Sequence, residues 1–254
     1  MIDFLRRSVQ GHYSRSGQLS YDWAGQAVYE LQPQRLLDVG CGDGSRLFGY
    51  LGERIPSKFC GVEGSPALAE QARQRGMEVT SFDLNSRWPY ETGSFDAVHS
   101  SQVIEHVHNT RLFLEELFRV LAPNGTAILT SENMTSLLNT GAMLLGYMPF
   151  SSQCVCGWYV GNPLGLHDGK DHSGNKSGVP VDHPAFSGIA GHNRVLSVSQ
   201  AYDLLKKIGY TDLETRSIGL VPLPEWLGKR LERAMPRRGH WLLLRARKPA
   251  TARR

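Results

Sequence analysis

Leu36-Leu37-Asp38-Val39-Gly40-Cys41-Gly42-Asp43-Gly44 constrains this chain more than any other stretch, because a short apolar run ends there in glycine at every second position. Arg35–Val39 reads as a buried strand, and the residues after the glycines, through Leu51, read as a helix. Glycine in such a turn permits positive φ and lets a ligand come close to the backbone. Strand, glycine turn and helix in that order open a doubly wound α/β sheet, whose ligands sit at the carboxyl ends of its strands. A dinucleotide-binding turn wants G-x-G-x-x-G beneath a pyrophosphate. Here the third glycine arrives one position early, and Asp38 sets a carboxylate before the first. An acid at that place suits a ligand with an ammonium group and no phosphate.

The next hundred or so residues keep alternating between apolar runs and helical patterns, as a parallel sheet with crossover helices requires. Phe59–Val62, Glu78–Phe82, Phe95–His99 and Thr126–Thr130 read as strands. Between them fall a helix from Pro66 to Arg75, stopped at Gly76, and another capped by Asn109. That second helix carries Leu112, Phe113, Leu117, Val120 and Leu121 on one face, and Pro123-Asn124-Gly125 breaks it. An apolar helix is expected over Leu137–Tyr147, as the core face of a crossover or as an apolar acceptor wall. Ser197 and Gln200 make a capping box for a helix with Val198, Ala201, Leu204, Leu205 and Ile208 on one face, ending at Gly209. Leu213–Ile218 and His240–Arg245 read as closing strands, with a helix after Pro224 between them. The chain is expected to be one domain over 1–254, with a helical segment over 1–34 and an irregular lid or insertion over 146–194.

Each strand end bears suitable chemistry. Glu63 ends the second strand, where an acid accepts hydrogen bonds from both ribose hydroxyls. Asp83 follows the third, placed to accept from an adenine amino group while Leu84 packs on the ring. Ser100 and Ser101 follow the fourth and offer carbonyls or hydroxyls. Asp96, in Phe95-Asp96-Ala97-Val98, reads as a structural acid at the sheet edge.

At these residues the chain resembles the class I methyltransferase superfamily, in the branch with ubiquinone- and menaquinone-type enzymes and many natural-product and sugar methyltransferases. The resemblance runs from about Leu36 to Ser131. It is carried by the Asp38–Gly44 turn, Val62-Glu63-Gly64-Ser65, Phe82-Asp83-Leu84, Phe95-Asp96-Ala97-Val98, Val103-Ile104-Glu105-His106-Val107 and Leu121-Ala122-Pro123-Asn124-Gly125. It implies a Rossmann-like sheet of seven strands, the last antiparallel, and S-adenosyl-L-methionine as cofactor. Asp38, Gly40, Gly42, Glu63, Gly64, Asp83, Leu84, Ser100, Ser101 and Gln102 would then bind that cofactor. Within this set Gly40 and Gly42 would approach the methionine portion, Glu63 the ribose and Asp83 the adenine. Ser101 and Gln102 would stand near the reacting centre.

Methyl transfer from a sulfonium needs mainly alignment, and a hydroxyl acceptor gains from a general base. Histidine suits that task, since its ordinary pKa lies near neutrality. His192, in Gly191-His192-Asn193-Arg194, is the first candidate, because members of the family often carry a His-x-Arg step there. His106 is the second. His12 and Tyr13 would close the far side of the pocket. His167, Asp168, Asp171, His172, Asp182, His183 and His192 are dense enough for a metal, yet their spacings fit no standard zinc pattern, so no metal site is expected.

Composition narrows the setting. Hydrophobic residues make up 41% and charged residues 20% of 254, ordinary globular values. No run approaches the ~20 apolar residues of a membrane span, and no amino-terminal leader is evident. Cys41, Cys60, Cys154 and Cys156 read as reduced thiols. A cytoplasmic location follows as the expectation. The net charge of +4 hides a basic crowd: Lys229, Arg230, Arg233, Arg237, Arg238, Arg245, Arg247, Lys248, Arg253 and Arg254. We read it as a solvated face with a loose tail, its alternative being a surface for anionic lipid, glycan or nucleic acid. The expected partner is a small-molecule, glycan or lipid-precursor acceptor methylated at oxygen. The alternatives are RNA methylation and a nicotinamide-dependent oxidoreductase, and the residues say nothing of oligomeric state.

Overall fold

Arg35–Val39 is strand β1, with Leu36, Leu37, Asp38 and Val39 all buried, as a strand covered on both faces must be. The other strands are β2 (Lys58–Val62), β3 (Glu78–Thr80), β4 (Phe95–Ser101), β5 (Leu121–Glu132), β6 (Thr211–Ile218) and β7 (Trp241–Arg247). They form one seven-stranded sheet in the order β3-β2-β1-β4-β5-β7-β6. β1 to β5 pair in parallel, whereas β7 runs antiparallel to both β5 and β6. The strand order reverses at β1, which neighbours both β2 and β4, and that reversal opens a crevice at the strand carboxyl ends. This is a computed structural model, and it describes residues 2–152 and 192–250.

Among the described residues the helices are α1 (Ile2–Leu31), α2 (Ser45–Leu51), α3 (Pro66–Gln74), α4 (Thr110–Val120), α5 (Leu137–Leu144), α6 (Val198–Ile208) and α7 (Glu225–Leu231). On one face of the sheet, Ala24, Ala27 and Val28 of α1 pack with Leu36, Leu47, Ala97 and Ile128. On the other, Phe113, Leu114 and Leu117 of α4 and Ala201 and Leu205 of α6 pack with Leu37, Val98 and Leu129. The sequence signals act as expected at three helix ends: Asn109 accepts from Leu112 N and Ser197 from Gln200 N, while Gly209 stops α6 at φ +112°.

Several boundaries move. β3 ends at Thr80, so Asp83 lies in a loop beyond it; β4 runs to Ser101, so both serines lie inside the strand. β5 begins at Leu121 and takes Pro123-Asn124-Gly125 into its length, with a register shift against β4 between Phe95 and Ala97. α5 stops at Leu144, and Leu144 and Leu145 are 83% and 75% exposed. Its carboxyl end is therefore neither core nor wall. Lys248 leaves the solvated basic face: it is buried, with Nζ 2.6 Å from Leu121 O, because β7 carries the following backbone back under α4. Asp96 is the structural acid expected, accepting from Arg35 Nη2 at 2.6 Å and Arg35 N at 3.0 Å.

Candidate active site

A cavity of about 350 Å³ opens at the reversal point, a volume in the range of small-molecule sites. Gly40, Glu63, Gly64, Asp83, Leu84, Ser101, Gln102 and His106 line it, together with Phe82, Asn85 and Val103. Most of the expected cofactor set thus shares one wall.

The local folding explains the placement. Gly40 sits at φ +76°, and a Cβ there would come within 2.3 Å of Val103 Cγ2, so only glycine lets the β1 turn pass beneath the loop after β4. Gly42, at φ +58°, has open space where a Cβ would stand, as does Gly64. Glu63 ties the two turns together. Its Oε2 accepts from Gly42 N at 2.9 Å and its Oε1 from Ser65 N at 2.8 Å, which fixes the carboxylate at the cavity wall. Asp83 Oδ1 accepts from Asn85 N and Asn85 Nδ2, both at 2.9 Å. Asn85 Oδ1 accepts in turn from His108 N and Asn109 N, locking the Asp83 loop to the start of α4.

Three expected ligand residues stand elsewhere. Asp38 is buried and does not line the cavity: its Oδ1 lies 2.7 Å from His99 Nδ1. The cause is register, since Asp38 lies directly opposite His99 across β1 and β4. Ser100 is also buried, with Oγ donating to Val39 O at 3.1 Å, because alternation along β4 turns it away from Ser101. Gly42 shapes the turn through Glu63 rather than forming wall.

A second polar cluster adjoins the cavity. Glu105 and Glu132 are buried, Ser131 Oγ donates to Glu105 Oε2 at 2.9 Å, and Tyr13 Oη donates to Glu132 Oε1 at 2.7 Å. Burial pushes the Glu105 carboxyl up to about 8, helped by the charge of Glu132. Burial beside Glu132 likewise raises the Tyr13 phenol. His192 Nδ1 lies 2.7 Å from Ser151 O, and its ring packs edge-on against His106 with centroids 4.9 Å apart. Ligand atoms of Glu105, His106 and His192 lie within 4.8 Å of one another, so these three could hold a cation although the sequence led us to expect none. His12 turns away, its Nδ1 2.8 Å from Leu223 O. Cys41 and Cys60 are free thiols. Cys154, Cys156, His167, Asp168, Asp171, His172, Asp182, His183 and most of the expected lid lie outside the described residues, as do Arg253 and Arg254.

Sequence reasoning missed His99 and Glu132. The signal for His99 was present, since period-two alternation puts residues 97, 99 and 101 on one face of β4. Nothing local marks Glu132, which depends on the helix α1 coming back over β5.

Residues 37–129 match the family model described as a methyltransferase domain. With the strand order and the glycine turn, this identifies residues 37–129 as a methyltransferase domain of the class I S-adenosylmethionine-dependent type. The chain is 27% identical over 199 residues to the ubiquinone biosynthesis O-methyltransferase of Caulobacter sp. (strain K31), covering 74% of this chain and 72% of that protein. It is 33% identical over 120 residues to the mitochondrial ubiquinone biosynthesis O-methyltransferase of Rattus norvegicus, covering 42% of this chain and 33% of that one. It spans about a third of the length of the first curated relatives it matches. A solved S-adenosylmethionine-dependent methyltransferase of Thermotoga maritima shares the fold, with TM-score 0.53 and 21% identity over 98% of this chain and 100% of that one.

The cofactor of that domain type, S-adenosylmethionine, fits what the cavity offers. Open space over Gly42 and Gly64 would admit it, Glu63 presents an anchored carboxylate for vicinal hydroxyls, and Asp83 with Leu84 presents an acceptor beside an apolar surface. The early third glycine and the methyltransferase-domain match over residues 37–129 together set aside the nicotinamide-dependent alternative. No helix among the described residues is long and apolar enough to cross a membrane.

Proposed function

We propose that the chain methylates an oxygen of a small-molecule, glycan or lipid-precursor acceptor at this cavity. The observation that carries the reading is Glu63, pinned by Gly42 N and Ser65 N on the same wall as Asp83 and Leu84. When bound, S-adenosylmethionine supplies an electrophilic methyl group on a sulfonium. Glu63 holds the ribose hydroxyls, Asp83 takes the adenine amino proton in a hydrogen bond, and Gly40, Gly64, Ser101 and Gln102 shape the rest of the cradle. Oxygen as the target rests on the names of the relatives, ubiquinone biosynthesis O-methyltransferases, and on the basic groups nearby.

His106 lies on the wall, with His192 and Glu105 behind it. In this reading His192 and His106 receive the acceptor proton, as a positioned imidazole can. The buried Glu132 carboxylate, 3.7 Å from His192 Nδ1, stabilises the charge that results. A single domain working in the cytoplasm belongs to the same proposal, supported by the one sheet and the free thiols of Cys41 and Cys60.

Isothermal calorimetry with S-adenosylmethionine tests the reading. Micromolar-range binding is expected, lost when Glu63→Ala is combined with Asp83→Ala. Absence of binding by the intact chain would refute it.

A further inference from the structure

The pair Asp38 and His99 is more than a buried contact, because it continues to the cavity. His99 and Ser101 share one face of β4, and His99 Nε2 lies 2.9 Å from Ser101 Oγ. Asp38 and His99 are 3% and 7% exposed, whereas Ser101 is half-buried on the cavity wall beside Gly40, Glu63 and Gln102. Carboxylate, imidazole and hydroxyl therefore form an unbroken hydrogen-bonded line from the sheet interior to the ligand space.

The chemistry of each group fixes the direction of the line. An ionised carboxylate can only accept, so the Nδ1 that faces Asp38 carries the ring proton. Nε2 is then bare and accepts from the Ser101 hydroxyl. The serine oxygen keeps its lone pairs for whatever the cavity holds. Nucleophile or proton acceptor, base and orienting acid within hydrogen-bond reach is the arrangement that activates a serine on unrelated folds.

We propose that Asp38, His99 and Ser101 form a proton relay, in which Ser101 Oγ withdraws the proton from the methyl acceptor. This rests on the methyltransferase reading given above and deepens it by adding a second base to the cavity lining, at the end of β4. The acceptor's X–H bond breaks with its electron pair left on the acceptor atom, and the proton joins Ser101 Oγ. The serine's own proton passes to His99 Nε2, and the imidazolium is paired with the Asp38 carboxylate. Loss of one proton to solvent resets the line. Ser101 meets the acceptor, and His99 and Asp38 are positioning residues that act through it.

Two measurements on the full chain test the relay without knowledge of the acceptor. Proton–nitrogen correlation spectra of the imidazoles, assigned with His99→Gln, should show His99 as the Nδ1–H tautomer. An Nε2–H tautomer overturns the proposal. Diisopropyl fluorophosphate should then modify Ser101: the Oγ–P bond forms, fluoride leaves, and the serine proton goes to His99. Peptide mapping should find one adduct, at Ser101, formed at least tenfold more slowly in His99→Gln and absent in Ser101→Ala. No adduct in the intact chain, or an unchanged rate in a folded His99→Gln, overturns it. Calorimetry of the unlabelled chain with S-adenosylmethionine is run beside these. Missing binding there sinks the methyltransferase reading, whereas a wrong tautomer or an unreactive serine sinks only the relay.

Discussion

Glu63 accepts the backbone N–H of Gly42 at 2.9 Å, so one carboxylate of the cavity lining joins the turn after β1 to the turn after β2.

That bond makes Glu63 both an anchor and a strut. Replacing it by alanine leaves the N–H groups of Gly42 and Ser65 without their acceptor, and hydrogen bonds to charged groups each contribute about 1.5–3 kcal/mol. We expect Glu63→Ala to weaken S-adenosylmethionine binding at least tenfold by calorimetry and also to lower Tm. Glu63→Gln, which can serve only one of the two N–H groups as acceptor, should fall between. Unchanged affinity in Glu63→Ala would remove Glu63 from the cofactor's contacts.

Gly40 tests the close approach of two loops. An added Cβ would stand 2.3 Å from Val103 Cγ2, on a backbone at φ +76°. Gly40→Ala should lose about 1–3 kcal/mol in urea unfolding. Combining it with Val103→Ala removes the struck methyl, and part of the loss should return while the φ strain stays. If the double variant loses the plain sum of the two single losses, the clash is not the cause.

Glu105 sets a pH dependence of known sign. Burial raises its folded value to about 8 from an ordinary value near 4.5. Between these limits the folded state holds the extra proton, so stability from this group is complete below about pH 4.5 and is lost as pH rises through about 8. We expect the unfolding free energy of the intact chain, compared with Glu105→Gln, to decline between pH 5.5 and pH 8.5 by a few kcal/mol, with a limiting slope of about 1.4 kcal/mol per pH step of one. A flat difference between the two proteins would contradict the protonated, buried carboxyl.

Glu116 carries the opposite sign. Burial alone would raise its pKa, but the bonds from Arg119 and from Trp88 N hold it below the ordinary range. Its Oε2 accepts from Trp88 N at 2.8 Å and Arg119 Nη2 at 2.6 Å, and Arg119 also donates to Trp88 O and Tyr90 O. This contribution is present above about pH 4.5 and is lost as pH falls through the lowered folded value. Glu116→Ala should cost about 3 kcal/mol at neutral pH and loosen the segment after Asp83. Thermal unfolding at pH 7 and pH 3 checks it, since the gap between the two proteins should shrink in acid.

The sheet was legible because its signals are local. Glycine at 40, 42 and 44 and the apolar periods of β1, β2, α4 and α6 give the architecture before any contact is known. Gly40, Glu63, Asp83 and Leu84 were equally legible, since strand order alone sends those strand ends to one crevice. Asp38, expected to face the cofactor, lies off the cavity lining for a reason that spacing does not contain: its neighbour across β1 and β4 is His99, and a buried carboxylate takes the partner it can reach. The Tyr13–Glu132 bond was hidden in the same way, as it spans 119 positions in the chain and depends on how α1 lies over the sheet. The start of β5 shifted because the breaker Pro123 was outweighed by the pairing of Leu121 with Phe95 and by the bonds of Asn124 and Gly125 with Lys248.

The placement of β7 bears on how the molecule assembles. β6 is made before β7, yet its one neighbour in the sheet is β7, which sits between it and β5. Thr211–Ile218 therefore has nothing to zip onto when it leaves the ribosome. Its pairing waits until Trp241–Arg247 has been made, and the antiparallel pair then closes that edge of the sheet.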